Sequence, residues 1–221
     1  MGKYLIVTYG LPGVGKSTFA SGVIAACTEL GYPCQSFNPG RERRENGFYS
    51  HIRDAEDFRV NRAALDEISG ISLDKCIGYL SGNPEGRVAV LDQTSTRRES
   101  RERLWKGLKT IPFVEASIVE MCIKEGNEFQ FIDLNGIRMR PDYASKSNEE
   151  IERDFKARLA VYKEWATHYD EDNDPQVKKL GRIKINRSEG LIDATQPPSP
   201  ELTQIILAAA QKIIPSVQII S

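Results

Sequence analysis

A strand, a glycine loop and a helix in immediate succession constrain this chain more than any other feature. Tyr4-Leu-Ile-Val-Thr-Tyr9 is a short apolar, β-branched run, Gly10-Leu-Pro-Gly-Val-Gly15-Lys16-Ser17-Thr18 follows it, and the residues after Thr18 take on helical spacing. G-x-x-x-x-G-K-S in that setting lets successive backbone N–H groups turn inward around phosphate oxygens. The following helix aims the positive end of its dipole at the same point, and Lys16 adds a mobile charge. Gly10, Pro12, Gly13, Val14, Gly15, Lys16, Ser17 and Thr18 therefore read as a phosphate-binding loop, with the Ser17 hydroxyl placed to coordinate Mg²⁺.

Downstream, apolar runs and helical stretches alternate. Phe19, Val23, Ile24, Cys27 and Leu30 keep to one helical face, and Gly31 and Pro33 end that helix. A strand at 34–38 leads into a loop, Pro39–Gly47, and Asp54–Leu80 reads as a helix interrupted near Gly70. Arg87-Val-Ala-Val-Leu91 is a strand buried on both faces and ends in Asp92. Helices at 96–109, 148–168 and 200–212 and strands at 112–118 and 182–186 complete a βα series. Such a series implies an α/β fold, a mainly parallel sheet flanked by helices on both faces. The 221 residues read as one domain, with a lid at 120–147 and a polar surface loop at 170–181. The apolar tail Ile213–Ile220 fits either an inner strand or an edge that pairs with another chain, which leaves a homo-oligomer open.

The net charge of −1 argues against strong nonspecific nucleic-acid binding. Cys27, Cys34, Cys76 and Cys122 are scattered without a C-x-x-C pair, which points away from zinc and disulfides and toward a reduced, cytoplasmic setting. No apolar stretch is long enough to span a bilayer.

Ligands of a parallel sheet collect beyond the carboxyl ends of its strands. Asp92 lies at such an end, where a carboxylate can hold Mg²⁺ directly or through water, or orient an attacking hydroxyl. Its competing role is to cap the next helix, for which Ser95 or Thr96 is better placed. Thr94 shares the strand end. Phosphoryl transfer relies on cations more than on a strong base, so the arginines matter. Arg41, Arg43 and Arg44 follow the second strand and suit a phosphate; Arg97, Arg98, Arg101 and Arg103, interleaved with Glu99 and Glu102, read rather as a solvated helix face. Arg138 and Arg140 on the lid fit either role. Asp154, Arg158 and Tyr162 share one helical stripe, which taken alone is an intrahelical ion pair beside a ring. Trp105 and Trp165 read as core or core-edge residues, and His51 and His168 as surface ones.

Taken together, Gly10–Ser17, Phe37-Asn-Pro-Gly-Arg-Glu-Arg-Arg-Glu45, Gly86–Thr96 around Asp92, Arg140-Pro-Asp-Tyr143 and Asp154-Phe-Lys-Ala-Arg-Leu-Ala-Val-Tyr162 resemble the kinase domain of 6-phosphofructo-2-kinase/fructose-2,6-bisphosphatase. The blocks occur in that family's order and span most of residues 4–190. The resemblance implies a P-loop kinase fold and transfer of the γ-phosphate of ATP to the 2-hydroxyl of fructose 6-phosphate. By it, Lys16 and Ser17 handle ATP phosphates and Mg²⁺, Asp92 is the catalytic metal-site carboxylate, and Thr94 lies beside the transferred group. Arg43 or Arg44 would hold the sugar phosphate with Arg158 and Tyr162, and a further arginine, Arg59 or Arg62, is expected on the helix after residue 54. Ile137 stands where the family has a lysine, with Arg138 beside it as a replacement of different geometry. Neither histidine lies in the family's Arg-His-Gly phosphatase motif, so no bisphosphatase activity is expected. Two rival readings remain: a polynucleotide or other small-acceptor P-loop kinase, and a sensor that binds ATP and a sugar phosphate without turnover.

Overall fold

The computed structural model describes residues 2–82, 86–95, 97–112, 114–124, 137, 140–166, 180–214, 216 and 218–220. Seven strands form one sheet in the order β2-β3-β1-β4-β5-β6-β7. β1 (Lys3–Tyr9), β2 (Cys34–Phe37), β3 (Arg87–Leu91), β4 (Val114–Cys122) and β5 (Gly181–Asn186) pair in parallel. β6 (Leu191–Gln196) runs antiparallel to β5, and β7 (Gln218–Ile220) pairs in parallel with β6 at the sheet's edge. The helices are α1 (Lys16–Leu30), α2 (Pro39–Glu45), α3 (Ala55–Val60), α4 (Arg62–Ser81), α5 (Arg98–Leu108), α6 (Asn148–Trp165) and α7 (Pro200–Ile213).

β1 is central because it has no polar face. Tyr4 and Ile6 join Phe19 and Val23 of α1 and Ile205 and Ile206 of α7 in one core. Leu5 and Val7 point the other way, into a second core with Leu73 and Leu80 of α4 and Leu104 of α5. Burying each such side chain stabilises the fold by roughly 1.5–3 kcal/mol, so the strand is held from both sides and its carboxyl end is fixed in place. A third cluster, Ile137, Tyr143, Ile151 and Phe155, lies beneath α6. The described residues contain no helix long and apolar enough to cross a membrane and no group of three or more metal-ligating side chains. All four cysteines are free, although Cys27 and Cys34, distant in the sequence pattern, meet in a thiol–thiol hydrogen bond.

Several expectations are corrected. Pro39–Gly47 is not a loop: Asn38 caps it, its Oδ1 accepting from Arg41 N at 2.8 Å, and with Pro39 in the first turn the segment winds into α2. The long helix breaks at Asn61 rather than near Gly70. The Asn61 side-chain amide donates to the Asp57 carbonyl at 2.9 Å, competing with the continuing helix, whereas Gly70 passes uneventfully through α4. Residues 120–122 belong to β4, not to a lid. Residues 125–136 and 138–139 of that lid and 170–179 of the surface loop lie outside the described residues, as do Thr96 and His168. β6 was not expected, and the tail ends as an edge strand with Ile219 and Ile220 exposed.

Candidate active site

The glycine loop hangs from β1 at the carboxyl end of the sheet, and two of its glycines are obligatory. Gly10 has φ 137°, and a Cβ there would run into the Met121 carbonyl. Gly15 has φ 97°, and a Cβ there would lie 2.5 Å from Arg187 Nη1. Gly15 opens α1 with no side-chain cap and no acidic residue in the first turn, so the first N–H groups face outward, ready for an anion. Lys16 is buried and folds back over the loop, its Nζ donating to the carbonyls of Gly10 at 2.9 Å and Leu11 at 2.6 Å. Burial lowers its pKa to about 8; Asp92 pulls the other way, and the charge of exposed Arg140 adds to the lowering. Ser17 and Thr18 are exposed beside it.

β3 delivers Asp92 next to this loop, because β1 and β3 are hydrogen-bonded neighbours. Gly10 N donates to Thr94 O at 3.0 Å, and the Thr8 hydroxyl, buried at the end of β1, donates to Gln93 O at 2.8 Å. The loop and the Asp92–Thr94 segment are thus stitched together through the main chain. Asp92 is 4% exposed, and Asn38 Nδ2 donates to its Oδ2 at 2.6 Å and to its carbonyl at 3.1 Å. Its remaining carboxylate oxygen, the exposed Ser17 hydroxyl and the uncapped N–H groups of α1 form a donor set that fits a nucleotide phosphate with its Mg²⁺. Neither Ser95 nor any other side chain caps α5.

The arginines sort differently from their spacing. Arg43 is buried, donating to the Ile52 carbonyl and to Asp142 Oδ2, with its guanidinium 5.4 Å from the Phe58 ring centroid. Arg44 is freer, 3.8 Å from Asp142. Arg158 also lies over the Phe58 ring, 4.4 Å from its centroid and 5.1 Å from that of Tyr143, and donates through Nε to Asp154 Oδ2 at 2.9 Å. Its Nη2 is buried without a hydrogen-bond partner among the described residues. Asp154 also accepts from the Tyr143 hydroxyl at 2.6 Å and from Ala55 N at 2.7 Å, tying the start of α3 to α6. Tyr162 lies 6.2 Å from Phe58 and 6.0 Å from Trp165, ring to ring. Ile137 is buried in the cluster with Tyr143 and Phe155, and Arg138 lies outside the described residues.

The middle arginine cluster is only partly a solvated face. Arg98 and Glu102 form the exposed i,i+4 pair expected. Arg101 instead is 2% exposed and donates to Ser95 O at 3.1 Å, with its guanidinium 5.6 Å from the Tyr9 ring centroid. Arg97 pairs with Asp66 of α4. Between α4, α6 and the Gln93–Arg97 turn lies a narrow pocket of about 40 Å³, lined by Thr94 and by Tyr162, Trp165 and Arg62. Arg62 and not Arg59 lines this pocket, although both are exposed, and half-buried Trp165 forms part of its wall, a core-edge position. A larger cavity, about 590 Å³ between Trp105, Leu180 and Pro198, sits at the opposite ends of the strands, away from the phosphate loop and all of these arginines.

Sequence reading missed Asn38, Phe58 and Arg187. Asn38 was legible as an N-cap before proline. Phe58 carries no polar signal, and Arg187, half-buried and donating to Val14 O at 3.1 Å, comes from the far end of the chain.

The family model described as 6-phosphofructo-2-kinase matches residues 1–192. Rattus norvegicus 6-phosphofructo-2-kinase/fructose-2,6-bisphosphatase 4 is 30% identical over 196 residues, covering 82% of this chain and 38% of the rat protein. Saccharomyces cerevisiae 6-phosphofructo-2-kinase 1 is 28% identical over 188 residues, covering 80% of this chain and 22% of the yeast protein. The chain thus spans well under half the length of these relatives. Among solved structures, Kti12 of Chaetomium thermophilum in complex with ADP-AlF3 aligns with 97% of this chain and 99% of its own at 15% identity and a TM-score of 0.52, a likeness of fold. The parallel sheet, the glycine loop after its central strand and this likeness define a P-loop kinase fold. With its match running through every element from β1 to β5, the chain belongs to the 6-phosphofructo-2-kinase family.

Proposed function

We propose that this site transfers the γ-phosphate of ATP to a hydroxyl of a small phosphorylated sugar, the specific reaction being fructose 6-phosphate to fructose 2,6-bisphosphate. The observation that carries the reading is the main-chain bond from Gly10 N to Thr94 O, which sets a phosphate cradle directly against a buried carboxylate at the mouth of an arginine-lined pocket. The loop N–H groups and Lys16 hold the nucleotide's phosphates, and Ser17 and Asp92 hold its metal. Mg²⁺, when bound, neutralises charge on the phosphate oxygens during transfer. Asn38 keeps the Asp92 carboxylate in one orientation, and Thr94 stands where the acceptor hydroxyl enters.

Arg158 and Arg44 supply the sugar phosphate's counter-charge. Arg158 keeps an unused donor, and Arg44 is held only loosely by Asp142, whereas Arg43 is already engaged and serves mainly to brace that wall. Tyr162 completes the surface between Phe58 and Trp165. The net charge of −1 favours a small acceptor over the basic, aromatic-lined channel that a single-stranded nucleic acid requires.

The test is ATP-dependent phosphorylation of fructose 6-phosphate, with the product identified by phosphorus NMR. Phosphate on the 2-hydroxyl, abolished in Asp92→Ala and with a raised sugar KM in Arg158→Ala, is the expected result. Binding of both ligands without product would replace the kinase by the sensor reading.

A further inference from the structure

The turn that joins β3 to α5 is tied to the rest of the protein through its main chain. Gln93 N donates to the Thr8 hydroxyl at 3.1 Å, Thr94 O accepts from Gly10 N, and Ser95 O accepts from the buried Arg101 guanidinium at 3.1 Å. Held in this way, Ser95 adopts φ 46°, the left-handed region that a serine rarely enters without a reason. It is 4% exposed, it lines the narrow pocket beside Thr94, and its Oγ has no hydrogen-bond partner among the described residues. Gln93 Oε1, lining the same pocket, is likewise buried and unpartnered. Buried polar atoms are almost always satisfied, and two orphans facing one pocket mark the place of a ligand's polar group.

The surroundings say which group. Arg97, the nearest cation on this turn, is already paired with Asp66 across the pocket. Trp165 lines the same pocket, its ring flanked by the guanidinium groups of Arg62 and Arg97 at 5.4 and 6.0 Å from the centroid. An amide oxygen is an acceptor that repels a phosphate oxygen, whereas a hydroxyl can donate to it and accept from a serine at the same time. We propose that Gln93 and Ser95 form a hydroxyl-reading subsite, which binds a carbohydrate hydroxyl other than the one that is phosphorylated and makes these two residues determinants of acceptor specificity. The proposal rests on the sugar-phosphate kinase reading and adds a division of labour to it. The acceptor's phosphate goes to the Arg44 and Arg158 side, and its polyol body goes between Gln93, Ser95 and Trp165.

The experiment compares fructose 6-phosphate with its 3-deoxy and 4-deoxy analogues as acceptors, in wild type, Ser95→Gly and Gln93→Met. Glycine accepts φ 46° without strain, so Ser95→Gly removes the hydroxyl while keeping or raising Tm. Expected are a wild-type preference of at least tenfold in kcat/KM for fructose 6-phosphate over one deoxy analogue, and loss of that preference in both variants through a roughly tenfold higher acceptor KM with ATP KM held. Wild-type discrimination retained in both variants overturns the subsite. Should the wild type phosphorylate no sugar phosphate, the kinase reading fails on its own, and calorimetry with fructose 6-phosphate decides the subsite: weaker binding in both variants supports it, and equal or absent binding overturns it.

Discussion

Asn38 holds Asp92 by two hydrogen bonds from one side-chain amide, at 2.6 Å to the carboxylate and 3.1 Å to the carbonyl, while its oxygen caps α2. One residue thus fixes both a helix and the orientation of the site's carboxylate. Asn38→Ala should lose about 1 kcal/mol of stability with the cap and lower kcat by roughly 10–100-fold through the misplaced carboxylate. Asn38→Ser separates the two, since a serine still caps but is too short to reach Asp92. Urea unfolding should recover in that variant while kcat stays low.

Lys16 offers a pH signature. Its pKa near 8 in the folded protein lies below the usual 10.5, so above pH 8 the unfolded chain binds the extra proton. The group therefore destabilises the fold in full below pH 8, on the order of 3 kcal/mol, and this cost fades as pH rises toward 10.5. Lys16→Met should accordingly be more stable than wild type at pH 7, with the gap closing by pH 10, as read by denaturant titration. Nucleotide phosphate favours the charged amine, so ATP binding at pH 8.5 should take up a proton, seen by calorimetry in two buffers of different ionisation enthalpy. The uptake should vanish in Lys16→Met.

Asp154 receives three hydrogen bonds, from Ala55 N, the Tyr143 hydroxyl and Arg158 Nε. Replacing it with alanine strands a buried guanidinium, a change that typically costs about 3–5 kcal/mol. Asp154→Ala should unfold at markedly lower urea and, where folded, bind sugar phosphate poorly, because Arg158 has lost the partner that aims it.

Gly70 makes the opposite prediction. It lies inside α4, and a Cβ there would meet Arg103 Nη1 at 3.6 Å, an ordinary contact. Gly70→Ala should therefore stabilise the protein by about 0.5–1 kcal/mol, measurable as a rise in Tm.

Gly10–Ser17 and Asp92 were readable because their chemistry is local: a glycine loop announces its own conformation, and an acid after a doubly buried strand announces its place. The helix break was misread because Gly70 has the lower intrinsic propensity, while the deciding event was the Asn61 side chain competing for the Asp57 carbonyl. Arg101 read as solvated from its charged neighbours, yet it is buried, because the left-handed Ser95 turns its carbonyl toward the helix. The walls of the pocket were the least legible part. Asp66, Arg97, Tyr162 and Trp165 come from two separate helices and the turn before a third, and no spacing along the chain reports that they meet.

The bond from Gly10 to Thr94 lies three residues beyond the last paired residues of β1 and β3, Val7 and Leu91, and carries onward the approach of strands held about 4.8 Å apart by their own backbone. The spacing between the glycine loop and the Asp92–Thr94 segment is thus gauged by main chain against main chain, and side-chain substitutions around it leave that gauge in place.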